Sequence, residues 1–239
     1  MLKIQNLTKI YPGGKKAVDD FSLTIEPGEL YGFIGPNGAG KTTTLKCCSG
    51  ILQFDQGEIL IGGKSIQKEP VACKRMIAYI PDNPDLYDYL TGNQYLNFIC
   101  DLFEISQADR QSRIPMLAEQ LEIAASLGDL ISSYSHGMKQ KLALISAFVH
   151  KPDLLILDEP FVGLDPKAFH TLKELMNQLC KEGSSVFFSS HVLDVVEKIC
   201  DKVSIIKNGR LIRSGKIDDF RSDESLETIF LELVENESN

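Results

Sequence analysis

Gly35-Pro36-Asn37-Gly38-Ala39-Gly40-Lys41-Thr42 is the stretch that decides how this chain is read. It satisfies G-x-x-x-x-G-K-[ST] in full. The pattern also sits in the context it needs, after the apolar run Leu30–Ile34 and before a helix-forming segment at Thr42–Gly50. Phosphate oxygens require several backbone N–H donors aimed at one point, which demands close approach and left-handed backbone. Gly38 and Gly40 permit both, and the following helix N-terminus adds its partial positive charge. Lys41 is placed to reach the β- and γ-phosphates, the Thr42 hydroxyl to ligate Mg²⁺, and Thr43 to touch the α-phosphate side. Gly35, Pro36, Asn37 and Ala39 complete the cradle, so the expectation is a nucleoside-triphosphate site.

Downstream, Leu154-Leu155-Ile156-Leu157-Asp158-Glu159 places two acids after four apolar residues. A strand buried on both faces delivers its first acid to the sheet edge, where Asp158 can hold Mg²⁺ through water. Glu159 points elsewhere and is placed to orient and deprotonate an attacking water, with placement supplying most of the effect because a carboxylate is a weak base. His191 follows the strand Ser185–Ser189 and can reach a γ-phosphate from a neighbouring strand end. A lone histidine at such a junction also suits capping or packing.

Around these motifs the chain alternates. Strands are expected at Leu2–Thr8, Phe21–Ile25, Glu29–Ile34, Ile77–Ile80, Leu154–Leu157, Ser185–Ser189, Val203–Lys207 and Arg210–Ser214, with a two-glycine hairpin at Gly62–Gly63. Pro81 and Pro84 make Pro81–Asp88 an irregular loop. From Thr91 the period becomes helical: a capped helix carrying Tyr95, Phe98, Ile99, Leu102 and Phe103, a second over Asp109–Glu122 weakened at Pro115, and a third over His136–Val149. Helices follow at Lys167–Lys181 and Val192–Ile199. Alternation at both ends implies an α/β sheet core, with about residues 90–150 inserted at its side.

Composition narrows the class. The 239 residues carry a net charge of −8 and are 43% hydrophobic, which excludes disorder and collagen-like order. No apolar run approaches the ~18 residues a spanning helix needs, and the start, MLKIQNLTKIY, lacks a secretory signal's apolar core. Residues 216–239 hold eight acids against two bases, so six of the eight net negative charges belong to the tail. Nucleic acid is not expected as a partner. Cys47, Cys48, Cys73, Cys100, Cys180 and Cys200 show no paired spacing and read as reduced, buried residues of a cytosolic protein.

Taken in order, GPNGAGKTT at 35–43, YSHGMKQK at 134–141, LLILDEP at 154–160, GLDP at 163–166 and SSH at 189–191 resemble the ATP-binding subunits of ABC transporters over nearly the whole chain. The resemblance implies a P-loop NTPase (RecA-like) α/β core with an antiparallel β-subdomain and an inserted α-helical subdomain. The single ABC-type ATPase domain would span 1–239: core and β-subdomain at 1–89 and 151–215, helical subdomain at 90–150, acidic helical tail at 216–239. YSHGMKQK occupies the place of the family's signature. Ser135 matches its serine and Gly137 its second glycine, while His136 and Met138 depart from glycine and glutamine. In the family this element, Met138 included, meets the γ-phosphate held by the opposite subunit, so two chains would meet head to tail around two ATP molecules.

Further roles follow only from that resemblance. Tyr11 matches the aromatic that stacks on adenine, a contact that reads a π-face with modest base selectivity. Gly163–Asp165 matches the loop touching the opposite subunit, with Phe161 and Val162 replacing smaller polar residues. Asp82 stands where the family has a glutamine near Mg²⁺; it is the better hard-cation ligand but donates no hydrogen bond when ionised. Asp82–Tyr89 would form the surface for an integral membrane permease, holding the chain at the inner face of the cell membrane from the cytoplasm. The implied function is an ATPase that dimerises, with itself or a similar chain, to power a separate permease; the SHGMK variant resembles exporter subunits. The alternative is a soluble ATPase of the same class acting as a nucleotide-gated clamp in repair, translation or cofactor assembly. The long coiled coils of repair relatives and the doubled cassettes of translation factors are both missing. A GTPase reading lacks N-K-x-D, and a small-molecule kinase leaves Ser135–Gly137 unexplained.

Overall fold

The computed structural model of the chain describes residues 1–220 together with Leu226, Thr228 and Phe230. In chain order the elements are β1 (Leu2–Ile10), β2 (Lys16–Ile25), β3 (Leu30–Ile34), α1 (Lys41–Cys48), β4 (Gln56–Ile61), β5 (Lys64–Ser65), α2 (Pro70–Met76) and β6 (Ile77–Ile80). Then come α3 (Gly92–Leu102), α4 (Gln107–Gln120), α5 (His136–Val149), β7 (Leu154–Asp158) and α6 (Pro166–Lys181). The described elements end with β8 (Ser185–Ser190), α7 (Leu193–Ile199), β9 (Lys202–Lys207), β10 (Arg210–Lys216) and a short 3-10 turn at Ile217–Phe220.

Two sheets form. The first is antiparallel in the order β2-β1-β4-β5, and the second runs β10-β9-β3-β8-β7-β6. Strands β9, β3, β8, β7 and β6 are parallel, and β10 closes one edge antiparallel. Every residue of β3, β7 and β8 is buried, as expected of parallel strands covered on both faces. One face packs Leu155, Leu157, Val186 and Phe188 against α5 and α6. The other packs Phe33, Leu154, Ile156 and Phe187 against α1 and the antiparallel sheet. Each such apolar side chain contributes roughly 2 kcal/mol on burial.

The parallel order is what builds the site. Strand β8 lies between β3 and β7, so the C-terminal ends of all three open on one edge. That edge receives Gly35–Thr42 from β3, Asp158 and Glu159 from β7, and His191 from β8, the place where open α/β sheets hold ligands.

The helical stretch forms as its periodicity predicts. Thr91 caps α3 with a full capping box to Gln94, and Ser135 caps α5 by accepting from the Met138 N–H. Helix α4 runs unbroken through Pro115, because burial of Ile114, Leu117 and Ala118 outweighs the one lost N–H bond. Strand β10 extends through Lys216 and leads into the 3-10 helix Ile217–Phe220. Leu226 is buried in the helix-side core and Phe230 packs against it; beyond residue 220, all of the acidic tail but these two and Thr228 lies outside the described residues.

Candidate nucleotide site

An open cleft of about 410 Å³ lies over the edge where the three strands end. Tyr11, the loop Pro36–Thr43, Asp82, Asp158 and Glu159 all line it. Sequence-distant candidates are thus brought to one place.

Glycine is required in the loop for different reasons at different positions. Gly38 has φ +79° with open space around its Cα, so backbone conformation alone selects it. Gly40 caps α1 at φ +111°, and a Cβ there would stand 2.4 Å from the Ala17 carbonyl oxygen. The Lys41 side chain is nearly buried. Its Nζ donates to the carbonyls of Gly35 at 2.6 Å and Pro36 at 3.3 Å, and lies 3.9 Å from Glu159 Oε1. Burial pushes its pKa below the ordinary lysine value, opposed by the negative charges of Glu159 and Asp158. A cation desolvated this far is matched to an anionic ligand.

Beyond the loop, Asp158 ends β7 with 2% of its surface exposed. Its Oδ1 accepts from the Ser189 hydroxyl at 2.6 Å. Glu159 has φ +49°, a left-handed turn that swings its side chain away from that of Asp158. Glu159 Oε2 meets His191 Nδ1 at 2.8 Å and accepts from the His191 backbone N–H at 3.2 Å. The histidine therefore acts on the acid, and it does not itself line the cleft. Tyr11 is half-exposed, with its hydroxyl 3.4 Å from Thr43 Oγ1 and Lys9 Nζ 5.7 Å from its ring centre.

The donor set fits a divalent cation bound with a nucleotide. Thr42 and Asp82 are exposed in the cleft, Asp158 shares it, and all three offer hard oxygen donors. Among the described residues no three His, Cys, Asp or Glu side chains converge as a metal site of their own. Phosphate oxygens would have to complete the ion's shell.

Ser135, Gly137 and Met138 do not line this cleft. They start α5 beside the loop after Glu159, where a Cβ on Gly163 would stand 3.0 Å from the His136 ring. The substituted histidine of the signature thus packs against Gly163. Two ion pairs fix this corner: Lys141 to Asp165 at 2.6 Å, and Lys139 to Asp88 at 2.6 Å. Asp165 also caps α6, and its carboxyl is held below the usual range mainly by the Lys141 hydrogen bond.

Sequence reasoning missed several participants. Lys15 lines the cleft beside Tyr11, and only its place after Tyr11-Pro12-Gly13-Gly14 hinted at that. The Tyr79 hydroxyl is buried without a hydrogen-bond partner among the described residues, and burial, then Asp158 and Asp82, raise its pKa. Ser189 opened the SSH motif at 189–191 but was given no role there.

The ABC transporter family model matches residues 18–162. ABC-type transporter ATP-binding protein EcsA of Bacillus subtilis (strain 168) is 34% identical over 243 residues, covering 100% of this chain and 98% of that protein. A solved structure described as the ATP binding subunit of an ABC transporter superposes with a TM-score of 0.94 at 35% identity, covering 98% of this chain and 99% of the other. CbiO1 of Clostridium perfringens, described as part of the ABC transporter complex cbiONQ, gives a TM-score of 0.78 at 27% identity, covering 96% and 94%.

Proposed function

The chain belongs to the ABC transporter family, and from that premise we propose that two such cassettes close around two ATP molecules and, on hydrolysing them, drive a separate membrane permease. ATP is the family's nucleotide and its hydrolysis the family's reaction. The observation that carries the reading for this chain is the convergence of Lys41, Asp158, Glu159 and His191 at adjoining strand ends.

In this reading the loop N–H groups and Lys41 hold the β- and γ-phosphates, and Tyr11 covers the adenine. Glu159 orients a water in line with the γ-phosphorus and takes its proton as the bond to the β–γ bridging oxygen breaks. His191 holds the Glu159 carboxylate in place and borders the γ-phosphate. Thr42, Asp158 through water, and Asp82 would hold Mg²⁺, which supplies charge neutralisation on the phosphates.

The signature face acts across the dimer. Ser135 and the first-turn N–H groups of α5, with Gly137 and Met138, form an anion site suited to the partner's γ-phosphate. Residues 90–150 then behave as one subdomain carrying this face, adjoining the permease contact at Asp82–Tyr89. That contact is supported by Tyr87, Tyr89, Phe98 and Leu102, which stay exposed around the loop Asp82–Tyr89. Among the described residues no helix is long and apolar enough to cross a membrane, so attachment to the cytoplasmic face of a membrane would come through the permease.

Size-exclusion chromatography of the Glu159→Gln variant tests the reading. With ATP and Mg²⁺ it should elute as a dimer with nearly abolished turnover. A monomer that retains bound ATP would refute the clamp.

A further inference from the structure

The Ser189 hydroxyl is fully buried at the C-terminal end of β8, directly across from Asp158 in the parallel ladder. Among the described residues its hydroxyl makes two hydrogen bonds, and both go to the hydrolytic acids. Ser189 Oγ donates to Asp158 Oδ1 at 2.6 Å and accepts the Glu159 backbone N–H at 3.0 Å. The directions are forced: a metal-binding carboxylate only accepts, and an amide N–H only donates.

We propose that Ser189 is a positioning residue for ATP hydrolysis, clamping the metal-side acid Asp158 and the water-side acid Glu159 with one hydroxyl.

Three observations carry this. Asp158 Oδ1 is committed to Ser189, which leaves Oδ2 as the oxygen to face a metal-bound water. Glu159 occupies a left-handed conformation at φ +49°, which is strained for a non-glycine residue. Its N–H is anchored to Ser189, and the same residue's Oε2 meets His191, two positions beyond Ser189. The end of β8 and the residue just past it therefore hold Glu159 at both its backbone and its carboxylate. With no exposure at Ser189, water does not substitute for the hydroxyl.

The inference rests on the ATPase reading, so its test includes a readout that needs no turnover. Three quantities are measured for the unmodified chain, Ser189→Ala and Ser189→Cys: kcat, metal-free ATP affinity, and the Mn²⁺ dissociation constant of the Mn²⁺·ATP complex by electron paramagnetic resonance. Cysteine fills the space but is a poor hydrogen-bonding partner. Both variants should lose about 10-fold or more in kcat and in Mn²⁺ affinity, with metal-free ATP affinity within about 2-fold. Unchanged values in Ser189→Ala, or recovery in Ser189→Cys, would show packing alone and overturn the proposal. So would a loss in which metal-free ATP affinity falls in parallel. An unmodified chain that binds Mn²⁺·ATP without hydrolysing it would sink the ATPase reading, while the Mn²⁺ arm would still decide Ser189.

Discussion

His191 Nδ1 lies 2.8 Å from Glu159 Oε2, and the same oxygen accepts the His191 backbone N–H at 3.2 Å. One carboxylate oxygen is thus gripped twice by a single residue from the neighbouring strand. The other, Oε1, stands 3.9 Å from Lys41 Nζ. The carboxylate proposed as general base is held between His191 and the lysine of the phosphate loop.

Replacing His191 with alanine removes the side-chain half of that grip and leaves the backbone half. We expect kcat to fall about 100-fold, in the range of a lost acid–base or orienting partner, with ATP affinity nearly unchanged. Steady-state kinetics alongside equilibrium nucleotide binding separates the two. A parallel fall in affinity would place His191 in ground-state binding instead.

Lys41 should behave differently. Its ammonium is desolvated and held by loop carbonyls, so its contribution is to binding itself. Lys41→Ala is expected to weaken ATP binding about 100-fold, corresponding to one or two charge-assisted hydrogen bonds. Isothermal titration with ATP would reveal it.

Gly40→Ala puts a methyl 2.4 Å from the Ala17 carbonyl oxygen at a backbone angle L-residues avoid. A destabilisation of about 3 kcal/mol is expected, along with loss of the phosphate cradle. Urea unfolding measures the first and nucleotide retention the second. Gly38→Ala, with open space around it, should show the conformational cost alone and be milder.

His150 stacks on Phe103 with ring centres 3.8 Å apart, and burial lowers its pKa from 6.5 to about 4. The unfolded chain therefore takes up the proton first as pH falls. Stability contributed by this group is intact above pH 6.5 and declines towards pH 4, by on the order of 3 kcal/mol in total. His150→Phe keeps a stacked ring and cannot protonate, so its stability should fall less over that window. Equal slopes in parallel denaturation curves would refute the assignment.

The clamp geometry can be trapped directly. Cysteines introduced as Asn37→Cys and Ser135→Cys should form an intersubunit disulfide when ATP and Mg²⁺ are present and little without them. Non-reducing electrophoresis reads the outcome, and a nucleotide-independent band would argue against closure around ATP.

Where function depends on short-range chemistry, it was legible in the sequence. The loop at 35–42 and the run ending in Asp158-Glu159 announce themselves because glycine, lysine and paired acids at fixed spacing have few other uses. The helix limits at Thr91 and Ser135 were equally readable from their caps. Helix α2 at Pro70–Met76 was not anticipated, although Pro70 at its first turn is a start signal, because seven residues with one buried side chain show no period. The first half of β2 was missed because two acids interrupt its alternation. Ser189, Lys15 and the pairs Lys139–Asp88 and Lys141–Asp165 were invisible for another reason. Their partners are distant in sequence and are set by strand order, and a serine or lysine alone carries no signature of what it will meet.

The six cysteines have a practical consequence. Cys47, Cys48, Cys73 and Cys100 are buried, and burial raises the thiol pKa of all six, to about 12 for Cys47 and Cys180 and well above the ordinary value for Cys48 and Cys200. Alkylating and oxidising reagents attack the thiolate, which at neutral pH is scarcely populated at any of these positions. Probes and spin labels attached at engineered sites should therefore report on the native polypeptide against a silent background, with no need for a cysteine-free variant.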